Sequence, residues 1–280
     1  MGWQVERRAF DRMLCTAAST RATEVHLGAV VRSCHHLPDH GWRLTVAQAG
    51  ELQVYWARFL VIATGRFGLR GTLADQPPIR DDRLIGLVRY VDATTSAISP
   101  TLASIEAVRD GWWYLARLPD QLAVAAYLTD VDLLPGPGQT TQQRWSSLVE
   151  SAPLIRSLLQ DRTPRSSPRL VAAGSWRRTQ VVGNHCLAVG DTVLAHDPLS
   201  GQGVAQALES GMRAAEAIHR ALKGDQGGCL DYAAWTQTAY QAYRQQRRRS
   251  YRLEQRWPAA TFWARRHQPP AQPGPGALRR

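Results

Sequence analysis

Lysine is nearly missing from this 280-residue sequence: Lys223 is the only one, and arginine supplies the other basic side chains. Such heavy use of Arg beside Ala, Gly and Pro reflects a biased coding composition rather than a ligand. Paired cysteines are missing too. Cys15, Cys34, Cys186 and Cys229 are scattered without a Cys-x-x-Cys pair, so neither a zinc site nor a disulfide framework is signalled. No apolar run approaches the roughly 18 residues of a membrane span. Glu6, Arg7 and Arg8 stand where a signal peptide would carry its apolar stretch, so the expected location is the cytoplasm. No internal repeat occurs, and Ser200 lacks the strand-to-elbow context of a nucleophile, which leaves no Ser-His-Asp arrangement.

What is present has the balance of a globular protein, with 44% hydrophobic and 20% charged residues. The net charge of +11 raises the question of nucleic acid until the charge is located. Ten arginines fall between Arg244 and Arg280 against one acid, Glu254, so the excess lies in the tail and the body is close to neutral. Nucleic acid is therefore disfavoured as a partner.

Periodicity divides the chain into recognisable elements. Phe10, Leu14 and Ala17 or Ala18 recur at helical spacing in Arg7 to Ser19. Glu24 to Ser33, Trp42 to Ala47 and Leu52 to Ile62 read as strands, the last running into Ala63-Thr64-Gly65. Leu84 to Val91, Ala103 to Arg109, Trp112 to Leu118 and Gln121 to Thr129 read as antiparallel strands of an all-β platform. Thr141 to Gln160 reads as a helix that Pro153 kinks or splits, and Pro164 to Pro168 as a loop. Arg169 to Val182 reads as one more platform strand. His185 to Val189 is a short buried strand, and Gly203 to Leu222 and Leu230 to Arg256 are helices. Pro269 to Gly276 has the composition of a disordered tail.

The stretch richest in chemistry is Gly190-Asp191, then Asp197-Pro198-Leu199-Ser200-Gly201-Gln202-Gly203-Val204. A strand delivers a carboxylate at its end, a loop follows, and a glycine pair opens a long helix. Asp191 can accept hydrogen bonds from sugar or ribityl hydroxyls. The free amides from Gly201 to Val204, with the helix dipole behind them, suit a pyrophosphate or a developing negative charge. An ordinary turn is the alternative for Gly190-Asp191 taken alone. Ala63-Thr64-Gly65 likewise leaves unhindered backbone at a strand's carboxyl end, where open α/β sheets hold ligands. His35 and His36, before a turn, read as solvated; His196 lies within the loop itself.

The stretch from Gly190 to Val204 resembles the second cofactor motif of the FAD-dependent monooxygenases of the aromatic hydroxylase fold. The resemblance implies that Asp191 holds the ribityl chain and that Pro198, Gly201 and Gly203 lie beside the isoalloxazine, with Gly190, Gln202 and Val204 among the cofactor-binding residues. Ala63, Thr64 and Gly65 match the strand-to-glycine motif of the same flavoproteins. Arg7-x-x-Phe10-Asp11-x-x-Leu14 is similar to their arginine-headed helix, which implies Arg7 near FAD. A narrower resemblance, to the halogenase-like branch with tryptophan halogenases and quinone-cofactor oxidase maturation flavoproteins, rests on three segments. These are Gly111-Trp112-Trp113-Tyr114-Leu115-Ala116-Arg117-Leu118-Pro119, Glu254-Gln-Arg256-Trp257 and Phe262-Trp263-Ala-Arg265-Arg266. A platform strand with core aromatics explains the first equally well.

The sequence also departs from that pattern. The strand, Gly-x-Gly-x-x-Gly turn and helix that seat the ADP half of FAD do not occur, and Met1 to Val5 resembles the segment that follows them. The expectation is an α/β fold (α+β overall) with an N-terminally truncated FAD/NAD(P)-binding-like domain. It divides into a partial FAD-binding domain (1–72), an inserted antiparallel β-sheet substrate domain (73–183), the return of the FAD-binding domain (184–223) and a C-terminal helical region with tail (224–280). The resemblance implies an FAD-dependent oxidoreductase, monooxygenase-like, acting on a small aromatic substrate or on a side chain of a partner protein; its reductant is unknown. A non-catalytic remnant unable to hold FAD is the alternative. Halogenation ranks last, because Lys223 cannot replace the halogenase lysine and the chloride-site motif is replaced by Asp197 to Gly203. No metal site is expected, and no catalytic residue is assigned.

Overall fold

A computed structural model describes residues 5–21, 23–94, 98–136 and 138–268. Met1 to Gln4 and the Pro269 to Gly276 tail, both given a reading above, lie outside the described residues. In chain order the elements are α1 (Arg7–Ser19), β1 (Val30–Leu37), β2 (Gly41–Gln48), β3 (Glu51–Ala57), β4 (Leu60–Ile62), β5 (Ile79–Arg80), β6 (Leu84–Asp92), β7 (Ser104–Val108), β8 (Gly111–Arg117) and β9 (Leu122–Asp130). They continue with α2 (Thr141–Glu150), α3 (Pro153–Leu159), β10 (Arg169–Ala172), β11 (Trp176–Arg177), β12 (Val182–Gly183), β13 (Cys186–Ala188), β14 (Leu194–Ala195), α4 (Gly203–Leu222), α5 (Gly227–Tyr251) and α6 (Thr261–His267).

The platform is a five-stranded antiparallel sheet in the order β10-β6-β9-β8-β7. Its strands carry nearly continuous apolar runs because both faces are covered. On one face Trp113, Leu115, Ala125 and Tyr127 pack against Trp145, Leu148 and Ile155 of α2 and α3. On the other, Leu84, Trp112, Ala126 and Leu128 pack against Tyr251, Phe262 and Trp263. Neighbouring residues of β8 point to opposite faces, so the Trp112-Trp113 pair serves two cores at once. Pro153 splits the predicted helix and opens α3 as its first residue, where its missing N–H costs nothing.

A third core forms where β4 and β13 run parallel, with Leu60 opposite Cys186 and Ile62 opposite Ala188. Ile62, Leu187 and Ala188 meet Ala214 and Ala217 of α4 and Tyr232, Tyr240 and Tyr243 of α5. The Tyr232 hydroxyl donates to the Ala188 carbonyl at 2.7 Å, which fixes α5 beneath this sheet. The β1-β2-β3 meander lies beside it, tied by the Trp42 indole N–H to the carbonyls of Asn184 and His185.

Three strand expectations need correction. Residues 24–29 are not strand, and β1 begins at Val30. Leu52 to Ile62 breaks at Arg58 and Phe59, because β3 completes the meander while β4 enters a different sheet. Arg169 to Val182 is three short strands in three sheets: β10 edges the platform, β11 joins β5 and β14, and β12 pairs with β13. The last long helix runs from Gly227 to Tyr251, not from Leu230 to Arg256. Among the described residues no helix is long and apolar enough to cross a membrane, and no group of three His, Cys, Asp or Glu side chains is placed to hold a metal ion.

Candidate functional site

Two parallel strands end side by side and deliver their following residues to one place. Ala63 and Gly65 follow β4, and Val189, Gly190 and Asp191 follow β13; all five line a cavity of about 750 Å³. The Thr192 hydroxyl donates to the Gly65 carbonyl at 3.1 Å and joins the two strand ends. The Gly190 amide donates to the Ser210 hydroxyl at 2.8 Å, which ties the same point to α4. Arg7, Phe10 and Leu14 of α1, Pro198, Gly201 to Val204, and Tyr114 of β8 add to the lining. Of the sequence-predicted residues, only Thr64 is not part of the cavity lining. Its hydroxyl donates to the Phe67 carbonyl at 2.6 Å and shapes the turn after β4 instead.

Local chemistry explains the shape of the loop. Asp197 caps the turn at Pro198–Ser200 by accepting the Leu199 amide at 3.0 Å. Gly201 then takes φ +62°, in the left-handed region that favours glycine, and redirects the chain into α4. Gln202 precedes the helix without a side-chain cap, so the first amides of this 20-residue helix are left to an outside acceptor. Gly65 also has φ +65°, and a Cβ there would meet nothing within 4 Å. Its glycine is thus required by backbone conformation.

Charge in the cavity is set by Arg66, which the sequence reading missed. Its Nε lies 3.2 Å from Asp191 Oδ2, its Nη1 donates to the Gly174 carbonyl at 2.5 Å and its Nη2 to the His196 carbonyl at 3.3 Å. Burial pushes the Asp191 carboxyl above the ordinary carboxylate range, against the opposing pull of Arg66. His196 is buried and stacked flat on Tyr243, with ring centroids 4.2 Å apart. Burial, reinforced by the charge of Arg66, pushes its imidazole down to about 4, so it is neutral at pH 7. Neither ring nitrogen has a hydrogen-bond partner among the described residues.

A buried ionic bridge holds the loop from behind. Asp197, fully buried, accepts from Arg247 Nε at 3.0 Å and from the Tyr251 hydroxyl at 2.8 Å. Arg247 Nη2 also donates to Asp82 Oδ2 at 2.6 Å, and Asp82 accepts the amides of Leu84 and Ser175. Arg247, one of the arginines counted in the basic tail, therefore points into the protein. Arg265 and Arg266 are likewise bound to Asp130. Arg66 could have been suspected from its place after a strand-end glycine; nothing local marks Arg247 or Tyr251.

The chemistry of this donor set suits a flavin. A half-buried carboxylate can take hydroxyl hydrogens, glycine backbone leaves room beside a flat ring, and an uncapped helix terminus favours negative charge. Among the described residues no Gly-x-Gly-x-x-Gly turn between a strand and a helix occurs to take the pyrophosphate of an ADP half.

No family model matches the sequence. Comparison with individual proteins is informative. The chain is 28% identical over 272 residues to a protein of Marinomonas mediterranea named as the FAD-dependent oxidoreductase LodB, covering 95% of this chain and 71% of that one. It is 24% identical to the flavin-dependent halogenase armH3 of Armillaria mellea, covering 85% of this chain and 53% of that one. Among solved structures, the flavin-dependent halogenase CmlS superposes with a TM-score of 0.83 at 22% identity, over 96% of this chain and 50% of that one. The peptidyl tryptophan dihydroxylase QhpG, essential for tryptophylquinone cofactor biogenesis, superposes with a TM-score of 0.75 at 25% identity, over 93% of this chain and 58% of that one. The chain thus spans about half to seven tenths of the length of these proteins. Its relatives are those of the halogenase-like branch of the FAD-dependent monooxygenases, and its fold is the mixed α/β fold of the flavin-dependent halogenases. Ranking halogenation last is not supported, because a flavin-dependent halogenase is among the sequence relatives.

Proposed function

We propose that the chain works as an FAD-dependent oxidoreductase, monooxygenase-like, that acts on an aromatic small molecule or on a side chain of a partner protein. One observation carries this reading: β4 and β13 end together at a cavity closed by the Pro198 to Val204 loop and the start of α4. Residues 1–72 and 184–223 would hold the cofactor, residues 73–183 would face the substrate, and residues 224–280 would brace the loop between them. FAD, when bound, supplies the redox chemistry.

The chain's own residues would act as follows. Asp191 would accept hydroxyl hydrogens of the ribityl chain, exchanging part of its contact with Arg66 for them. Arg66 would remain close by and oppose the upward push of burial on the carboxyl. The first amides of α4 would favour negative charge beside Gly203 and Val204. Ala63, Gly65, Gly190, Pro198, Gly201 and Gln202 would border the ring, Arg7 would close the α1 side, and Thr64 would act only through the turn it shapes. His196, neutral at pH 7, can donate or accept a hydrogen bond at a ring nitrogen without adding charge.

The test is a flavin titration of the purified chain, read by absorption and calorimetry. A perturbed flavin spectrum that Asp191→Ala weakens is expected; an unperturbed spectrum at saturating FAD sinks the reading in favour of a remnant that does not hold the cofactor. A second reading, flavin-dependent halogenation, is favoured by the relationship to armH3. Mass analysis of products formed with reduced flavin, oxygen, an aromatic substrate and bromide separates the two.

A further inference from the structure

The β1-β2-β3 meander has two outer edges, and they are built differently. The β1 edge is interrupted: its register against β2 shifts between Val31 and Ser33, which leaves Arg32 as an extra residue. A bulge and a charge blunt an edge strand against pairing. The β3 edge pairs with β2 without a break, from Gln48 opposite Glu51 to Trp42 opposite Ala57. It contains neither proline nor lysine, and no strand pairs with its outer side among the described residues. The open β4 edge, by comparison, is only three residues long.

The hairpin fixes which backbone groups the β3 edge presents. Ala49 and Gly50 have φ of +51° and +88°, the two-residue turn in which both central residues are left-handed. Such a turn makes Gln48 and Glu51 a hydrogen-bonded pair, so by alternation Gln53, Tyr55 and Ala57 also bond to β2. The N–H and C=O groups of Leu52, Val54 and Trp56 therefore point away from the sheet. The side chains of the same three residues lie on the outer face of the meander, opposite to that of the buried Trp42 and Val46, and are 69%, 46% and 56% exposed. An apolar ridge and a row of outward backbone groups thus coincide on one strand.

This strand complements itself. In antiparallel pairing about a two-fold axis at Val54, Val54 meets its own copy and Leu52 meets Trp56 on the outer face, while Gln53 meets Tyr55 on the other. That register uses the outward backbone groups of all three apolar residues. It also sets the Glu51 end of one strand beside the Arg58 end of the other, so the charges at the two ends are complementary. We infer that β3 is a self-association site, through which two copies of the chain join their meanders into one continuous antiparallel sheet with three strands from each. A short edge buries little surface, so the dimer is a reversible one.

The test is sedimentation velocity of the full chain from micromolar to near-millimolar concentration, with hydrogen–deuterium exchange read by mass spectrometry at both ends of that range. A reversible monomer–dimer equilibrium is expected, in which protection of β3 rises with concentration and that of β1 does not. Two variants probe the pairing itself. Val54→Pro removes an N–H that β2 does not use, at an edge position of the kind where proline is tolerated. Val54→Lys sets like charges opposite one another at the axis, and as a surface substitution it keeps the test open should the proline variant fail to fold. Each should weaken dimerisation by about tenfold or more, because the axis applies the change twice, with a melting curve close to that of the parent. A chain that stays monomeric throughout, a dimer equally tight in a folded variant, or concentration-dependent protection that spares β3 overturns the inference. Flavin is left out, so its failure to bind would not disturb this result.

Discussion

The platform and the cofactor-side sheet of this molecule are finished to different degrees. The central platform strands β6, β9 and β8 are covered on both faces, and Trp113, Leu115, Ala123 and Ala125 are wholly buried. The β12-β13-β4 sheet has only three strands, and the outer edge of β4 pairs with nothing among the described residues. Val61 on that edge strand is 43% exposed, and Leu208 and Met212 of α4 are 42% and 68% exposed. Helix α1, although amphipathic in pattern, buries no residue at all. The exposed Leu208 and Met212 of α4 and an open parallel edge are features of core elements that here meet solvent. Stability should therefore reside in the platform, and ligand sensitivity in the cofactor side.

The strongest way to break this contrast is Trp113→Ala. Removing a fully buried indole from between two helices and a sheet should cost about 3–5 kcal/mol in chemical denaturation; a loss below 1 kcal/mol would mean the platform does not dominate. Next is acid. His196 has its pKa depressed to about 4 in the folded protein from an ordinary 6.5, so the unfolded chain takes up a proton first as pH falls. The neutral ring's stabilisation is fully present above pH 6.5 and is lost as pH drops toward 4. The effect should reach about 2–3 kcal/mol, and His196→Phe should flatten that part of the profile when denaturation is followed against pH.

Asp191→Ala should leave the platform untouched and weaken flavin binding by about 1–3 kcal/mol in calorimetry, the cost of leaving buried polar groups unpaired. An unchanged dissociation constant would remove Asp191 from the site. The smallest expected effect is Met212→Glu on the exposed stripe of α4. Unfolding free energy should move by no more than about 0.5 kcal/mol, while light scattering should show less self-association. A large loss of stability would mean that this stripe is covered after all.

How far the sequence foretold this structure depended on the range of the interactions. The limits of α1 and α4 and the split at Pro153 are set within a few turns of backbone, and periodicity and proline chemistry found all three. Ten of the eleven proposed cofactor residues line one cavity, because strand-end glycines and a helix opening are local patterns. The break at Arg58 and Phe59 was hidden, since both sides of it are equally rich in strand formers and only pairing in different sheets separates them. The fate of Arg169 to Val182 was hidden for the same reason. Arg247 carried no signal either, because its partners Asp197 and Asp82 lie 50 and 165 positions away.

That bridge has a consequence for the order in which the protein becomes competent during its synthesis. The Asp197 carboxylate, which shapes the turn leading into α4, is emplaced by Arg247 and Tyr251, both made after it. A nascent chain that has just completed α4 still lacks its counter-ion and would hold an uncompensated charge in place of the finished turn. At about 5–20 residues per second, the wait for α5 lasts several seconds, whereas the hairpins of the platform can already have closed. The turn into α4 is consequently locked only once α5 has been made, and the second face of the platform, covered by Tyr251, Phe262 and Trp263, is completed later still by α6.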